Sequence, residues 1–380
     1  MSSTSLPPAA YAASLASFPL MTVHRLLALL RHHPPAEAYE VAMGRVAPRQ
    51  GSLIERVLRE ATVRDAWALG SRLRPPDEMW QRCTHLGLEV TVIGDPDHPR
   101  LLALDPLPPP VLFTRGDRSL LGGRRAALVG TRNATAVGRT LALRLGEGLA
   151  ASDVHVVSGL ARGIDGHAHT GAIAGASSGS GRPIAVVASG LDVVYPREHR
   201  ALWAAVAQTG LLLSEWPPGA DPLPHRFPLR NRLIAALSEV VVVVESRERG
   251  GSLVTASLAA ERGIQVMAVP GSATNRAALG VNGLLRDGSA PVLGVEDVLV
   301  ALSLDHRRAE SLFVDQRVRP QGGDLDCYRV CDERASTVGM VAERTGRPLL
   351  DVAMSLARLE LGGWLAHSDG WFERTGSPLA

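Results

Sequence analysis

Lysine is absent from this chain of 380 residues, so all 40 of its basic side chains are arginine. Any phosphate site must therefore use guanidinium groups, which bind phosphate bidentately and also stack on planar rings. Against 38 acidic residues the formal net charge is only +2. The charge balance alone therefore gives little support to the binding of a polyanion. Evidence for such binding has to come from the distribution of the arginines along the chain.

Cysteine is scarce as well. Cys83, Cys327 and Cys331 form no CxxC pair and have no histidine cluster nearby. This excludes a disulfide framework and argues against zinc, since such sites need three or four ligands. Buried free thiols are favoured over a soft metal pair made by Cys327 and Cys331 on one helix face. We expect no metal, no cofactor and a cytoplasmic location.

Long hydrophobic runs are missing too. The first twenty residues place no basic segment before an apolar core, which disfavours a secretory signal. No apolar run approaches the length of a membrane span, so we expect no membrane insertion.

Two patterns divide the first 304 residues. Apolar residues spaced three and four apart, from Met21 to about Leu86, predict a small helical domain at 1–85. From Arg125 to about Leu304, apolar strands alternate with amphipathic helices, which predicts a second domain at 86–304.

The strands of the second domain are uniformly apolar. Their sequences are AALVG, VHVVSG, PIAVVAS, LLLSE, VVVVVES and QVMAVPG. Such strands need cover on both faces, as in a parallel sheet with helices on each side. The predicted fold class is therefore α/β, an extended Rossmann-like doubly wound, mostly parallel sheet.

The remainder of the chain predicts a linker and a third domain. Residues 305–324 are charged and rich in breakers, which is typical of a flexible linker. Residues 325–380 give a helix, a tight turn at Gly346, a second helix and a short β-hairpin, the order of a winged helix. The second helix has only Asp351, Arg358 and Glu360 as charges, which favours a protein contact over duplex DNA but leaves both open.

Five predicted strands run into small residues, hydroxyls or arginine. Ligands of open parallel sheets bind beyond the carboxyl ends of the strands, where loops present backbone N–H groups. One Gly-Ser pair is typical of an ordinary capped turn, but five such ends favour a groove that admits phosphates close to the backbone. The candidates are Gly130, Thr131, Arg132, Ser158, Gly159, Arg162, Arg197, Gly250, Gly251, Ser252, Gly271 and Ser272.

The turn after the first of these strands identifies the kind of phosphate ligand. Its sequence, GTRNATAVG, lacks the GxGxxG fingerprint, and no GxxxxGK[ST] motif occurs in the chain. Arg132 would crowd a pyrophosphate at the helix start. It suits a phosphodiester backbone that crosses the edge of the sheet.

A second basic group lies in HRFPLRNRLIAALSE, where arginines flank Phe227. Arginine beside an exposed aromatic ring is typical of sites for unstacked nucleotides, because charge holds the backbone and the ring stacks on a base. The candidates here are Phe227, Arg230, Asn231 and Arg232. The alternative is that Phe227 belongs to the core and Arg230 is an ordinary helix-start residue.

Catalytic machinery is not visible in the sequence. The carboxylates near the strand ends are Asp165, Asp192, Glu215 and Glu245, and they form no Ser-His-Asp order and no paired acid and base. His167 and His169 are expected to pack on a helix. We therefore expect a binding protein and not an enzyme.

Together these motifs resemble the DNA-processing protein A (DprA/Smf) family, in order and spacing, from about Gly94 to Val300. The segments concerned are ALVGTRNATAVGR, VVSGLARGIDGHAHTGAI, AVVASGLDVVYPREHRAL, LLLSEWPPG, FPLRNRLIAALSEVVVVVES, GGSLVTASLAAERGIQVMAVPGS and GVNGLLRDG. The resemblance implies an extended Rossmann fold, preceded by a SAM-like helical domain, that binds single-stranded DNA. It also implies a homodimer that loads RecA recombinase onto that DNA during natural transformation.

The resemblance assigns site residues within this numbering. The family's arginine in the first turn falls on Arg132, and its basic residue after a Tyr-Pro pair falls on Arg197. Its aromatic residue ahead of the RNR motif falls on Phe227. The chain departs from the family at Pro224 and His225, where a basic residue is common, so this end of the groove is expected to bind more weakly.

An enzyme of a different class is the alternative. Rossmann-like phosphoribohydrolases also have a glycine-rich loop after a late strand, but they combine it with a glutamate in a PGGxGTxxE pattern. Here Gly250 and Gly251 are followed by no acid before Glu261. This absence favours binding over nucleotide hydrolysis.

Overall fold

The computed structural model describes residues 6–303, 319–333, 336–368 and 370–374. They belong to two compact units, one within residues 1–305 and the other within residues 306–380. Of the predicted linker at 305–324, residues up to 318 lie outside the described part. A helix already begins at Gly322, before the predicted end of the linker.

The described helices of the first unit are numbered in chain order. They are α1 (Pro8–Ala16), α2 (Val23–Leu30), α3 (Pro35–Ala42), α4 (Leu53–Arg59), α5 (Ala61–Leu73), α6 (Pro76–His85), α7 (Arg100–Ala103), α8 (Ala136–Ala151), α9 (Ile164–Gly175), α10 (Arg200–Thr209), α11 (Arg226–Ala236), α12 (Gly251–Ala260), α13 (Leu279–Arg286) and α14 (Val295–Ser303). Proline begins α1, α3 and α6, where its fixed φ suits the first turn. Thr22 and Ser52 cap α2 and α4 through their hydroxyl oxygens.

A sheet of nine strands forms the centre of this unit. The strands are β1 (Glu89–Val92), β2 (Val111–Gly116), β3 (Arg124–Gly130), β4 (Val154–Ser158), β5 (Pro183–Val186), β6 (Leu211–Ser214), β7 (Val240–Glu245), β8 (Gln265–Ala268) and β9 (Ala290–Pro291). Their order is β1-β2-β6-β5-β4-β3-β7-β8-β9. In this spatial order, all strands from β6 through β3 to β9 run parallel to one another, whereas β1 and β2 add an antiparallel edge.

Helices cover both faces of the sheet, because alternate residues of each strand point to opposite sides. Ala127 and Val129 of β3 pack in a cluster with residues of α11, α12 and α13. Ala126 and Leu128 pack on the other side with residues of α8, α9 and α14. The predicted Rossmann-like fold and its six strands are therefore confirmed.

The amino-terminal helices share a core with this sheet. Phe18 and Trp67 belong to the same apolar cluster as Phe113 of β2 and Trp203 of α10. The apolar patterns predict domains at 1–85 and 86–304, and the described residues of both ranges belong to one compact unit. Residue 85 ends α6 and marks a change of secondary structure.

The second unit has the order expected of a winged helix. Its elements are α15 (Gly322–Glu333), β10 (Ser336–Thr337), α16 (Val338–Thr345), α17 (Leu349–Leu361), β11 (Leu365–Ser368) and β12 (Trp371–Arg374). Gly346 ends α16 with a left-handed φ of 67°, as its place in the predicted tight turn requires. Cys327 and Cys331 lie in the core beside Tyr328 and Trp364.

The described residues contain neither a membrane-spanning helix nor a metal site. No described helix combines the length and the apolar character that crossing a membrane requires. All three thiols are free and buried. Histidine, cysteine, aspartate and glutamate side chains nowhere gather in groups of three that could hold a metal ion, within these same residues.

Glycine allows α8 and α9 to pack closely, which leads to a first prediction. A β carbon on Gly146 would lie 2.2 Å from the carbonyl oxygen of Ala168. We expect Gly146→Ala to lower the free energy of unfolding by about 1–3 kcal/mol, because the helices must move apart. Urea unfolding followed by circular dichroism measures the change.

Gly283 provides the matched control. It lies inside α13, and a β carbon there meets no atom within 4 Å. Gly283→Ala should therefore be neutral or stabilising by about 0.5–1 kcal/mol. Equal effects of the two substitutions would contradict the packing argument.

Candidate functional site

The position of the site follows from the strand order. From β3 the chain proceeds to β4 and β5 on one side, and it later places β7 on the other side of β3. The loops that leave β3 and β7 therefore diverge, and they leave a crevice at the carboxyl ends of the strands. A cavity of about 570 Å³ opens there.

This cavity brings together nine of the residues predicted from the sequence. They are Gly130, Thr131, Arg132, Phe227, Arg230, Asn231, Gly250, Gly251 and Ser252. Three distant segments contribute them: the loop after β3, the first half of α11, and the turn into α12. The convergence that the strand-end argument anticipates is thus present for these three segments.

Several lining residues are not in the predicted set. Arg247 and Arg249 line the cavity and are exposed, whereas Tyr195 is partly exposed and Asp165 is buried. The signal for the two arginines is in the sequence, because ESRERGG places them directly between β7 and the Gly-Gly turn. Tyr195 belongs to the same Tyr-Pro-Arg triplet that suggested Arg197.

Arg132 and Phe227 form one rim of the cavity. The guanidinium carbon of the exposed Arg132 lies 4.4 Å from the centroid of the Phe227 ring, a cation–π contact. The ring of Tyr195 lies beside Phe227, with centroids 5.4 Å apart and planes at 54°. Phe227 is partly exposed here and is not a core residue, so the alternative interpretation of this residue is not supported.

Arg230 forms the floor and is only 4% exposed. Its Nη1 donates to the carbonyl oxygen of Gly159 at 2.7 Å and to that of Val186. The carboxylate of Asp165 accepts from the Gly159 N–H at 3.2 Å. Burial lowers the pKa of Arg230 to about 10 and raises the pKa of Asp165. Arg230 therefore holds the backbone of the cavity floor in place, and most of its guanidinium group is inaccessible to a ligand.

Gly159 serves this arrangement. A β carbon at this position would lie 2.2 Å from Nη1 of Arg230, so no larger residue fits beside the guanidinium. The guanidinium of Arg230 therefore occupies the space beside Gly159, where the sequence predicts DNA. Ser158 is fully buried, and its hydroxyl donates to the carbonyl oxygen of Leu128 at 2.6 Å. Gly159 and Ser158 therefore pack beneath the residues that line the cavity.

Arg232 requires a correction. Its side chain is 5% exposed and forms an ion pair with Glu215, which is 2% exposed. Two residues along a helix correspond to a rotation of about 200°, so Arg230 and Arg232 of α11 cannot both face the cavity. The sequence motif placed both in the groove, whereas the structure buries Arg232 on another side of the helix.

The remaining predicted residues lie outside the lining of the cavity. Arg162 and Arg197 are exposed, and Arg162 forms an ion pair with Glu198 at 3.3 Å. Gly271 and Ser272 are exposed after β8, and the N–H of Gly271 donates to Asn282 at 3.1 Å. Their contact with a longer ligand stays a prediction.

A stability measurement tests the buried pair. Arg232→Ala leaves the Glu215 carboxylate buried without its partner, and we expect the free energy of unfolding to fall by about 3–5 kcal/mol. The double variant Arg232→Met/Glu215→Leu should recover most of the loss, because no charge then remains buried. Chemical denaturation checks both values. A loss below about 1 kcal/mol for Arg232→Ala would mean that Glu215 is hydrated or protonated in the variant, since burial raises the pKa of Glu215 to about 7 even beside Arg232.

Acid should weaken the fold through His169, which lies on the buried side of α9. His169 is fully buried, and burial lowers its pKa from 6.5 to about 3. Below about pH 6.5 His169 takes up a proton in the unfolded chain, whereas in the folded chain it stays neutral down to about pH 3. The stability contributed by neutral His169 is therefore present above pH 6.5 and falls by about 1.4 kcal/mol per pH unit below it. In urea unfolding at pH 6.0 and 5.0, His169→Leu should lose this slope, and an unchanged slope would contradict the assignment.

Comparison with known protein sequences supports the interpretation of the motifs. A family model described as DNA recombination-mediator protein A matches residues 89–303. Protein Smf of Escherichia coli is 36% identical over 282 residues, which cover 73% of this chain and 74% of that protein. The DNA processing protein DprA of Bacillus subtilis is 41% identical over 217 residues, which cover 57% of this chain and 72% of that protein.

Solved structures agree with the sequences. DNA processing protein A from Streptococcus pneumoniae matches with a TM-score of 0.65 and 30% identity, over 77% of this chain and 97% of that chain. DNA processing protein A from Helicobacter pylori, described for its unique single-stranded DNA binding mode, matches with a TM-score of 0.51 and 27% identity. That match covers 56% of this chain and 95% of that chain. Sequence and fold thus lead to one assignment: this chain belongs to the DNA recombination-mediator protein A family, which includes the DprA and Smf proteins.

Proposed function

We propose that this chain binds single-stranded DNA across the carboxyl ends of its sheet and passes the strand to RecA recombinase. The supporting observation is the cavity rim, where the exposed arginines 132, 247 and 249 surround a partly exposed aromatic pair, Phe227 and Tyr195. The Helicobacter pylori relative is described for its binding of single-stranded DNA.

The chemistry of the rim fits an unpaired strand better than a duplex. Guanidinium groups bind the phosphates bidentately. Arg132 lies over the ring of Phe227, and aromatic and guanidinium groups both stack on bases that have left a duplex. A cavity of about 570 Å³ also lies in the range of pockets that take small organic ligands, so it can admit one nucleotide.

The site supports binding without turnover. Helix α12, which follows the Gly250-Gly251 turn, has the sequence GSLVTASLAA and contains no acid. Asp165, the carboxylate that lines the cavity, is held by backbone N–H groups and has Arg230 as its charged neighbour. Release of a free base from a nucleoside monophosphate would favour the phosphoribohydrolase alternative instead.

The recombinase partner and the assembly belong to the same proposal. The description of the matching family as a recombination mediator supports transfer of the strand to a recombinase, and we place this step in the cytoplasm. A homodimer would place two cavities on one strand. Light scattering tests the dimer, and RecA filament formation on DNA coated with single-strand-binding protein tests the transfer.

Arg132 provides the decisive substitution. We expect Arg132→Ala to weaken binding of a single-stranded oligonucleotide by about 1.5–3 kcal/mol, because a charge-assisted contact with phosphate is lost. The slope of log K against log salt should flatten by about 0.7, the value for one phosphate of a single strand. Fluorescence anisotropy at several salt concentrations measures both.

Arg144→Ala is the control, since Arg144 is an exposed arginine on α8 outside the cavity lining. This variant should bind like the unmodified protein. Undiminished affinity of Arg132→Ala would remove Arg132 from the site. Equal affinity for duplex and single-stranded competitors at physiological salt would contradict the proposed groove, because general basic attraction would then account for the binding.

A further inference from the structure

Glu245, the last residue of β7, holds both ends of the loop that presents Arg132. It pairs with Gly130 at the end of β3 and is 6% exposed. Its carbonyl oxygen accepts from the Thr131 N–H at 2.8 Å. Its carboxylate accepts from the Thr135 N–H at 3.0 Å and from the Thr135 hydroxyl at 2.5 Å. One residue thus fixes the loop before and after Arg132.

The carboxylate also lies against the first turn of α8. The hydroxyl oxygen of Thr135 caps this helix by accepting from the Gly138 N–H at 3.0 Å. A β carbon on Gly138 would lie 2.5 Å from Oε2 of Glu245, so the carboxylate fills the space beside the turn. Gly138 is buried, which leaves no room there for a second anion.

This location is the position where Rossmann-like proteins bind phosphate. The start of the helix after the first strand of the fold offers free N–H groups and the positive end of the helix dipole. Here a side chain of the protein supplies the negative charge. A phosphate of the ligand must therefore bind further out, where Arg132 lies exposed.

We propose that Glu245 is a positioning residue that occupies the phosphate position at the start of α8 and holds Arg132 at the rim. This inference rests on the proposed binding of single-stranded DNA at that rim. It accounts for an arginine in the first turn in place of a glycine-rich fingerprint. It also makes the site selective for a polynucleotide backbone over a free nucleotide phosphate.

A double-mutant cycle tests the positioning role. Glu245→Gln keeps the shape of the side chain but loses the charge and one acceptor, and it should raise the dissociation constant for a single-stranded oligonucleotide about threefold to tenfold. In an Arg132→Ala background the same substitution should cost nothing further, since the residue through which it acts is gone. Glu261→Ala, which removes an exposed carboxylate after α12, is the control and should leave affinity unchanged.

Binding of pyrophosphate gives a second readout that a purely structural role would not produce. Glu245→Ala should bind inorganic pyrophosphate in isothermal titration calorimetry at millimolar concentration, whereas the unmodified protein should not. If Glu245→Ala does not fold, Glu245→Ser replaces it, because serine also removes the negative charge and most of the side chain from the start of α8.

The outcomes separate this inference from the proposed function. Additive losses for Glu245→Gln and Arg132→Ala would overturn the positioning role, and so would failure of a folded Glu245→Ala or Glu245→Ser variant to bind pyrophosphate. If Arg132→Ala alone retains full affinity, the proposed DNA site itself fails. A loss for Arg132→Ala together with additivity overturns only the role of Glu245.

Discussion

The parallel pairing of β3 with β7 is the contact on which the rest of the site depends. These strands come from distant parts of the chain, and their pairing places the loop after Gly130 next to the loop after Glu245. Because the chain continues from β3 in one direction and returns to β7 on the other side, the loops diverge and the cavity opens between them. Helix α11 then closes one side of this cavity with Phe227 and Arg230. The burial of both faces of the sheet thus fixes the relative positions of side chains that lie far apart in the sequence.

Arginine serves two purposes in this protein, and its count therefore overstates the charge available to a ligand. Arg230 and Arg232 are buried and use their donors on carbonyl oxygens and on Glu215. Arg125 is likewise buried and donates to the carbonyl oxygens of Leu237 and Leu121 at 2.6 Å each. The guanidinium offers five N–H donors in a rigid planar fork, whereas a lysine ammonium offers three. The arginines that remain exposed at the cavity belong to loops after β3 and β7.

The sequence predicts the elements better than it predicts the direction of individual side chains. The six central strands are recognisable because they are apolar throughout, which is the consequence of cover on both faces. The antiparallel strands β1 and β2 are missed as members of the sheet because a proline-rich segment separates them and because β6, the partner of β2, lies far along the chain. The glycine and hydroxyl turns correctly indicate the crevice. The burial of Arg230 could not be predicted, since it depends on carbonyl oxygens of Gly159 and Val186 that only the folded sheet brings near. The direction of Arg232 could be predicted from the helical period, because a side chain two positions from Arg230 lies on a different side of the helix.

The first helices and the sheet share a core, which couples their stability. Phe18 and Trp67 belong to the same apolar cluster as Phe113 and Trp203, and Arg82 of α6 forms an ion pair with Asp192 at 2.7 Å. Removal of the helices from this chain would take apolar cover away from this cluster. A substitution at Phe18 or Trp67 should therefore lower the stability of the sheet as well as that of the helices.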